Sequence, residues 1–309
     1  MKKQILATII GLLFVVVSFG QTAQEFVSRG NQNYKNKQYA EAIANFSQAI
    51  NLSPNSPTTW FNRGQAYFYS GNIEAAIADY SQVLKLNPKH LDALLQRGVA
   101  YNRLKKYDLA IADYSEGIML TPNDSQLWYN RGIAQYDKGK LEYAFADYNQ
   151  ALKLNPAYMK ALVNRGSVYY RQKKYDLAIA DLNSAIKLDA INAEAWGNRG
   201  VCYTALNQFD LAIADFNQAI KVDANYAKAY LDRAVAYNKG KQNDLAIADL
   251  NKAISLNPIY LNAYIFRGAV YFDTKKYDLS KADMNKVLQL SPNHKFATDI
   301  LAKIAALPK

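Results

Sequence analysis

The sequence predicts an all-α protein built from repeated helix pairs, and three observations lead to this prediction. Half of the 309 residues are apolar and only eight are proline, which excludes a disordered or low-complexity chain. A pattern returns every 34 residues along most of the chain. Within each interval, the apolar residues have helical spacing on two successive segments. Repeats of this kind bury their apolar faces by stacking on their neighbours.

Residues 1–20 have the pattern of a cleavable signal peptide. Two lysines precede the apolar run 5–19, which is shorter than the roughly 20 residues that a membrane-spanning helix needs. Small residues, Ser18 and Gly20, stand at the −3 and −1 places before Gln21. We therefore expect cleavage between Gly20 and Gln21.

If the chain is cleaved there, we expect an exported protein, periplasmic or secreted, with no stable membrane span after cleavage. An uncleaved membrane anchor is the alternative. The single cysteine, Cys202, cannot form an intrachain disulfide, which suits an oxidising compartment. The formal net charge is +11, so attraction to an anionic partner is physically available.

The repeat is most visible as an Arg-Gly pair. It occurs at Arg29-Gly30, Arg63-Gly64, Arg97-Gly98, Arg131-Gly132, Arg165-Gly166, Arg199-Gly200 and Arg267-Gly268, with Arg233-Ala234 in the remaining place. This spacing divides 21–294 into eight gapless repeats: 23–56, 57–90, 91–124, 125–158, 159–192, 193–226, 227–260 and 261–294. Residues 295–309 follow with helical apolar spacing, which predicts a C-terminal capping helix.

The motif within each repeat resembles that of the tetratricopeptide repeat family. Repeat two contains Trp60-x2-Arg63-Gly64-x2-Tyr67, then Ala76-x3-Tyr80, then Pro88. The resemblance implies a right-handed superhelical solenoid of antiparallel helix pairs. It also implies a concave groove, lined by the first helix of each repeat, that binds a protein or peptide.

An aspartate column accompanies the arginines. In repeats two to eight it consists of Asp79, Asp113, Asp147, Asp181, Asp215, Asp249 and Asp283, whereas repeat one has Asn45. A planar guanidinium can bind a carboxylate through two bonds, so we expect a structural ladder of Arg–Asp pairs. The alternative is that the arginines point into the groove and clamp an acidic ligand.

The resemblance assigns the groove to the fifth, ninth, twelfth and thirteenth places of each repeat. The candidate partner-binding residues are Phe61, Gln65, Phe68, Tyr69, Leu95, Val99, Asn102, Tyr129, Ile133, Tyr136, Val163, Tyr170, Leu231 and Phe272. The same places add Val201, Thr204 and Val235. Aromatic and aliphatic side chains with scattered polar groups suit an extended peptide or an amphipathic helix. The alternative is that some of them pack between hairpins.

Lysines gather where the two helices of a repeat are joined. They are Lys37, Lys105, Lys106, Lys140, Lys173, Lys174, Lys241, Lys275 and Lys276. A solenoid would align them as a basic edge that docks on an anionic envelope polymer or membrane surface. The alternative is that they only contact water. An exported chain without a nucleic-acid motif is not expected to bind nucleic acid.

We expect neither catalysis nor a cofactor. His90 and His294 fall in loops with no nucleophile or carboxylate arranged around them, and Cys202 replaces a small apolar residue. Two histidines and one cysteine exclude a Cys/His zinc site, and no phosphate-binding glycine motif occurs.

The cleavage prediction can be checked by intact-mass analysis of extracytoplasmic material. The small residues before Gln21 should direct signal peptidase there, so the mature chain should begin at Gln21. A mature chain that retains Met1 would contradict it.

Overall fold

A computed structural model describes residues 23–307 of the chain. The predicted signal peptide, with Gly20 and Gln21, lies outside the described residues. The chain divides between Pro156 and Ala157 into two compact units, here called unit 1 and unit 2.

The described part of unit 1 contains four helix pairs. Its helices are α1 (23–35), α2 (Tyr39–Leu52), α3 (Pro57–Ser70), α4 (Ile73–Leu86), α5 (Leu91–Arg103), α6 (Tyr107–Leu120), α7 (Ser125–Asp137) and α8 (Leu141–Leu154).

The described part of unit 2 contains four further helix pairs and one terminal helix. Its helices are α9 (Met159–Arg171), α10 (Tyr175–Leu188), α11 (Ala193–Ala205), α12 (Phe209–Val222), α13 (Ala227–Lys239), α14 (Asn243–Leu256), α15 (Leu261–Asp273), α16 (Tyr277–Leu290) and α17 (Lys295–Ala305).

The prediction of an all-α array of helix pairs is confirmed, since residues 23–307 contain helices and turns and no strand. None of these helices has the length and apolar character needed to cross a membrane. At the end of unit 2, α17 packs against α16 through Ala297 and Ile300, which join Met284 and Val287 in one core cluster.

The two helices of each repeat are joined by the same tight turn. In repeat five, the Lys173 N–H donates to the Tyr170 carbonyl and the Lys174 N–H donates to the Tyr169 carbonyl. This bonding pattern is a Schellman motif, which needs a left-handed residue after the helix. The left-handed place is taken by Lys37, Gly71, Lys105, Gly139, Lys173, Asn207, Lys241 and Lys275, with φ from 58° to 91°.

The small residue after each arginine lets the two helices of a hairpin approach closely. A Cβ atom added to Gly132 would lie 2.6 Å from Cε1 of Tyr148, a buried ring on the facing helix. In repeat five, where the facing residue is Leu182, a Cβ on Gly166 would lie 3.2 Å from its Cγ. The one alanine in this column, Ala234, also belongs to a repeat with a leucine instead of a ring, Leu250.

The arginine column pairs with the aspartate column, which confirms the predicted ladder. Arg131 donates from Nε to Oδ2 of Asp147 at 2.9 Å and from Nη2 to Oδ1 at 2.7 Å. Its Nη1 donates to the Ser115 hydroxyl of the preceding repeat at 3.1 Å. Its Cζ lies 4.8 Å from the ring centroid of Trp128, which covers the guanidinium. Equivalent pairs are Arg63–Asp79, Arg97–Asp113, Arg165–Asp181, Arg199–Asp215, Arg233–Asp249 and Arg267–Asp283.

Each aspartate of the ladder is buried, as Asp147 illustrates. The side chain of Asp147 is 5% exposed and that of Arg131 is 22% exposed. Burial raises the pKa of the Asp147 carboxyl, and the bonds from Arg131 act in the opposite direction. The arginine is therefore needed to keep the buried carboxylate charged and bonded.

Arg131→Ala should lower the free energy of unfolding by ~3–5 kcal/mol, because it leaves the Asp147 carboxylate buried without its partner. Arg131→Met combined with Asp147→Leu should cost less, since both charges are removed together. Arg29→Ala is the matched control, because Arg29 is exposed and its repeat has Asn45 instead of aspartate. Urea unfolding of the full chain measures the free energy of unfolding for all three variants. An equal decrease for Arg29→Ala and Arg131→Ala would refute the ladder.

Gly132→Ala should lower the free energy of unfolding by ~1–3 kcal/mol, because the new methyl group would overlap the buried ring of Tyr148. Gly166→Ala should cost clearly less, because the branched end of Leu182 leaves more room. Thermal unfolding followed by circular dichroism compares the two. Greater stability of Gly132→Ala than of the parent would contradict close helix approach.

Candidate functional site

In unit 1, two of the predicted groove aromatics pack against the tyrosines of their own hairpins. The Phe61 ring lies 5.7 Å from that of Tyr80 and 5.3 Å from the imidazole of His90. The Tyr129 ring lies 6.1 Å from that of Tyr148. Phe61 and Tyr129 are half-buried, so only part of each ring is available to a partner.

Two other predicted aromatics, Phe68 and Tyr69, belong to a cluster near the turns of the first two hairpins. The Tyr69 side chain is 57% exposed, and its ring contacts those of Tyr34 and Tyr39 at 6.0 and 6.1 Å. Phe68 lies 5.5 Å from Tyr69 and under the Arg103 guanidinium at 5.4 Å. Burial, with two neighbouring tyrosines, raises the pKa of Tyr34 to about 12.

The remaining predicted residues of unit 1 are partly buried and mostly engaged. Gln65 accepts a hydrogen bond from the Tyr80 hydroxyl at 3.3 Å, and Asn102 donates to the Asp137 carboxylate at 3.3 Å. Leu95 and Val99 pack against a buried core cluster. Ile133 and Tyr136 are also partly buried.

Three predicted residues of unit 2 pack inside the array. Val163 is 3% exposed and Leu231 is 9% exposed, so neither offers surface to a partner. This corrects the prediction for these two places: neighbouring helices cover them, as the alternative of packing between hairpins required. Phe272 is partly buried, packs against the core beside α17 and lies 5.7 Å from the Tyr277 ring.

A cavity of about 370 Å³ in unit 2 brings the other predicted residues together. Tyr170 enters it from α9, Val201 and Thr204 from α11, and Val235 from α13. These are the ninth and twelfth places on the first helices of three successive repeats, which lie side by side. Tyr170 is 36% exposed, whereas Thr204 is buried and donates to the Gly200 carbonyl at 2.9 Å. The cavity is therefore an open site lined by both polar and apolar side chains.

The cavity also includes residues that the sequence analysis did not predict, notably Tyr175, Asp232 and Lys239. Tyr175 begins the second helix of repeat five and lies 5.6 Å from Tyr170, ring to ring. Asp232 could have been found, because it replaces an asparagine that stands at the same place in four repeats: Asn62, Asn130, Asn164 and Asn198.

Asp232 forms an ion pair with Lys228, one helical turn earlier on α13. Lys228 Nζ lies 2.7 Å from Asp232 Oδ2, with side chains 47% and 20% exposed respectively. Burial raises the pKa of the Asp232 carboxyl, and Lys228 acts in the opposite direction. Burial lowers the pKa of Lys228, but the Asp232 carboxylate outweighs this effect and leaves that pKa raised. The cavity therefore has a partly desolvated charge pair at its edge.

The predicted lysine edge is exposed, but acidic residues stand beside it. All nine lysines of the edge are exposed. The second helix of each repeat carries an acidic residue in its first turn. Two of these acids contact a lysine of the next repeat: Asp244 Oδ1 lies 3.7 Å from Lys276 Nζ, and Asp108 contacts Lys138. The edge has mixed charge.

The two histidines and the cysteine that were considered for catalysis lie at helix starts or in the core. His90 precedes α5 and its Nδ1 accepts from the Ala93 N–H at 3.2 Å, while His294 precedes α17. Cys202 is buried, and burial raises the pKa of its thiol to about 12. Across residues 23–307, no three His, Cys, Asp or Glu side chains are grouped to hold a metal ion.

Models of the tetratricopeptide repeat match most of the chain. One described as a TPR repeat matches residues 30–71, 134–173 and 166–204. Others described as tetratricopeptide repeats match 61–126, 193–226, 227–260 and 261–294. The chain belongs to the tetratricopeptide repeat family, whose fold is typically a non-catalytic scaffold suited to protein–protein interaction.

A curated relative and several solved structures are similar to parts of the chain. Translocon at the outer membrane of chloroplasts 64 of Pisum sativum is 44% identical over 57 residues, which are 18% of this chain and 10% of the relative. The chain therefore spans about a tenth of that relative's length.

Two solved structures share the fold at low sequence identity. A tetratricopeptide repeat protein from Parabacteroides merdae has a TM-score of 0.67 and 20% identity, with 81% of this chain and 98% of that chain covered. The APC/C hetero-tetramer Cut9-Hcn1 has a TM-score of 0.68 and 18% identity, with 90% of this chain and 55% of that chain covered.

Proposed function

We propose that the protein is an exported scaffold that binds a peptide or helical segment of a protein partner through the cavity of unit 2. The observation that carries this proposal is the convergence of Tyr170, Val201, Thr204 and Val235 on one open cavity. Its volume, about 370 Å³, lies at the lower end of the range for ligand pockets, roughly 300–1,000 Å³. It suits one or two anchoring side chains.

The chemistry of the cavity supports a peptide as the occupant. Tyr170 and Tyr175 offer broad ring surfaces that lose little entropy on binding, and aromatic residues of this kind dominate interface energies. Asp232 and Lys239 add charged groups at the same place, which can set the register of a bound segment.

Export is the second part of the proposal. It is supported by the signal-peptide pattern before Gln21 and by the single cysteine. Both the periplasm and the exterior are compatible with these features.

Docking through the lysine edge is a second candidate function, and one structural observation favours it. Five lysines hold the left-handed turn conformation: Lys37, Lys105, Lys173, Lys241 and Lys275. That conformation costs an L-residue about 1–2 kcal/mol, which glycine would avoid. Lysine at these places therefore carries a conformational cost, which suits a role for its charge. The acids beside them weaken the net attraction to an anionic surface, so we rank this candidate second.

Tyr170→Ala should weaken partner binding by about 1–4 kcal/mol, because it removes an anchoring ring from the cavity. A photo-crosslinking amino acid at Val235 would first identify the bound segment in the native envelope. The affinity of that segment is then measured by calorimetry for the parent and the variant.

Tyr143→Ala is the matched control, since Tyr143 is 64% exposed on α8 and remote in sequence from the cavity. It should bind like the parent. Full affinity of a folded Tyr170→Ala variant, together with loss of binding on charge reversal at Lys173 and Lys174, would favour the lysine edge instead.

A further inference from the structure

We propose that the cavity of unit 2 is specific for a basic side chain of the partner, an arginine or a lysine, which binds to the Asp232 carboxylate between tyrosine rings. This inference rests on the proposed function and names the partner's chemistry. Three observations carry it: the incomplete bonding of Asp232, the position of the rings, and the way in which the chain binds its own arginines.

The Asp232 carboxylate has unused capacity to accept hydrogen bonds. It lines the cavity, and its side chain is only 20% exposed. Among the described residues its one hydrogen-bond donor is Lys228, which contacts Oδ2. An ionised carboxylate can accept about four hydrogen bonds, so a guanidinium or ammonium group can bind here without displacing any other partner.

Two rings, Tyr170 and Tyr175, line the same cavity as this carboxylate, with centroids 5.6 Å apart and planes inclined by 51°. The face of a tyrosine ring attracts a cation, and a guanidinium can also stack on it. A basic side chain that enters the cavity therefore meets ring faces as well as a carboxylate.

The chain itself shows how this combination holds arginine. Arg233 follows Asp232 directly and donates two hydrogen bonds of 2.7 Å to Asp249. Its guanidinium lies 5.6 and 5.8 Å from the ring centroids of Tyr230 and Tyr237. The cavity offers a similar combination in Asp232, Tyr170 and Tyr175, in which Lys228 occupies Oδ2 and leaves Oδ1 available to a cation of the partner.

An acidic partner segment is the competing possibility, because Lys239 also lines the cavity. Lys239 is an exposed residue at the C-terminal end of α13. Ion pairs with exposed lysines contribute little, whereas a partly desolvated carboxylate gains more from a charged donor. The depth of Asp232 therefore favours a basic partner.

The specificity can be tested with a displayed library of random twelve-residue peptides and the full-length protein. Peptides are retained if they bind the parent and fail to bind Tyr170→Ala. We expect the retained peptides to be enriched in arginine or lysine. One arginine-containing peptide is then synthesised in two versions. The first keeps the arginine, and the second has citrulline, the neutral analogue of arginine, in its place.

Asp232→Asn should weaken binding of the arginine peptide about tenfold or more. The variant should no longer prefer the arginine peptide to the citrulline peptide. Asparagine stands at this place in four other repeats, so the variant should fold. Asp278→Asn, at an exposed residue of α16, is the matched control and should change nothing.

Retained peptides without a basic residue would overturn the inference and leave the proposed function in place. So would an unchanged arginine preference in Asp232→Asn, or acidic peptides whose binding depends on Lys239. A library that yields no peptide dependent on Tyr170 would overturn the proposed function and, with it, the inference.

Discussion

The fold of both units depends on the bidentate pairing of arginine and aspartate within the hairpins of repeats two to eight. In repeat four, Arg131 joins α7 to α8 through Asp147 and reaches the preceding helix pair through Ser115. One guanidinium thus fixes both the register within a hairpin and the contact with the hairpin before it. Because removal of either charge strands the other in a dry site, the pair tolerates no loss of one partner. A purely apolar contact at the same place would not impose this register.

The ladder and the small-residue column act together on the side of each first helix that faces its partner helix. Gly132 admits the Tyr148 ring beside the Arg131–Asp147 pair, so the same few residues determine both spacing and register. Other side chains of the first helix take no part in these contacts and can differ from repeat to repeat without disturbing the array. In unit 2, Tyr170, Val201 and Val235 are such side chains, and they line a cavity.

The sequence alone predicted the features that recur from repeat to repeat. It could not predict the features that depend on contacts between neighbouring repeats. The ladder followed from two columns with matching chemistry, and the helix pairs followed from the 34-residue period. The burial of Val163 and Leu231 did not follow, because it depends on the side chains that adjacent helices place over them. Tyr175 was missed because it belongs to a second helix, whereas only first helices were searched for groove residues. The left-handed lysines were equally unexpected, since glycine is the usual residue for that turn conformation.

A strictly periodic array presents nearly the same surface at every step, so a partner cannot select one position along it. Selectivity requires places where the columns change. Asp232 is such a place, because it brings a carboxylate to a place where four repeats have asparagine, in the cavity that Tyr170 and Tyr175 line. The change costs the fold little, since the column lies outside the ladder and Lys228 offsets the added charge. In this repeat the chain thus presents to a partner a carboxylate and ring surfaces similar to those with which it holds its own arginines.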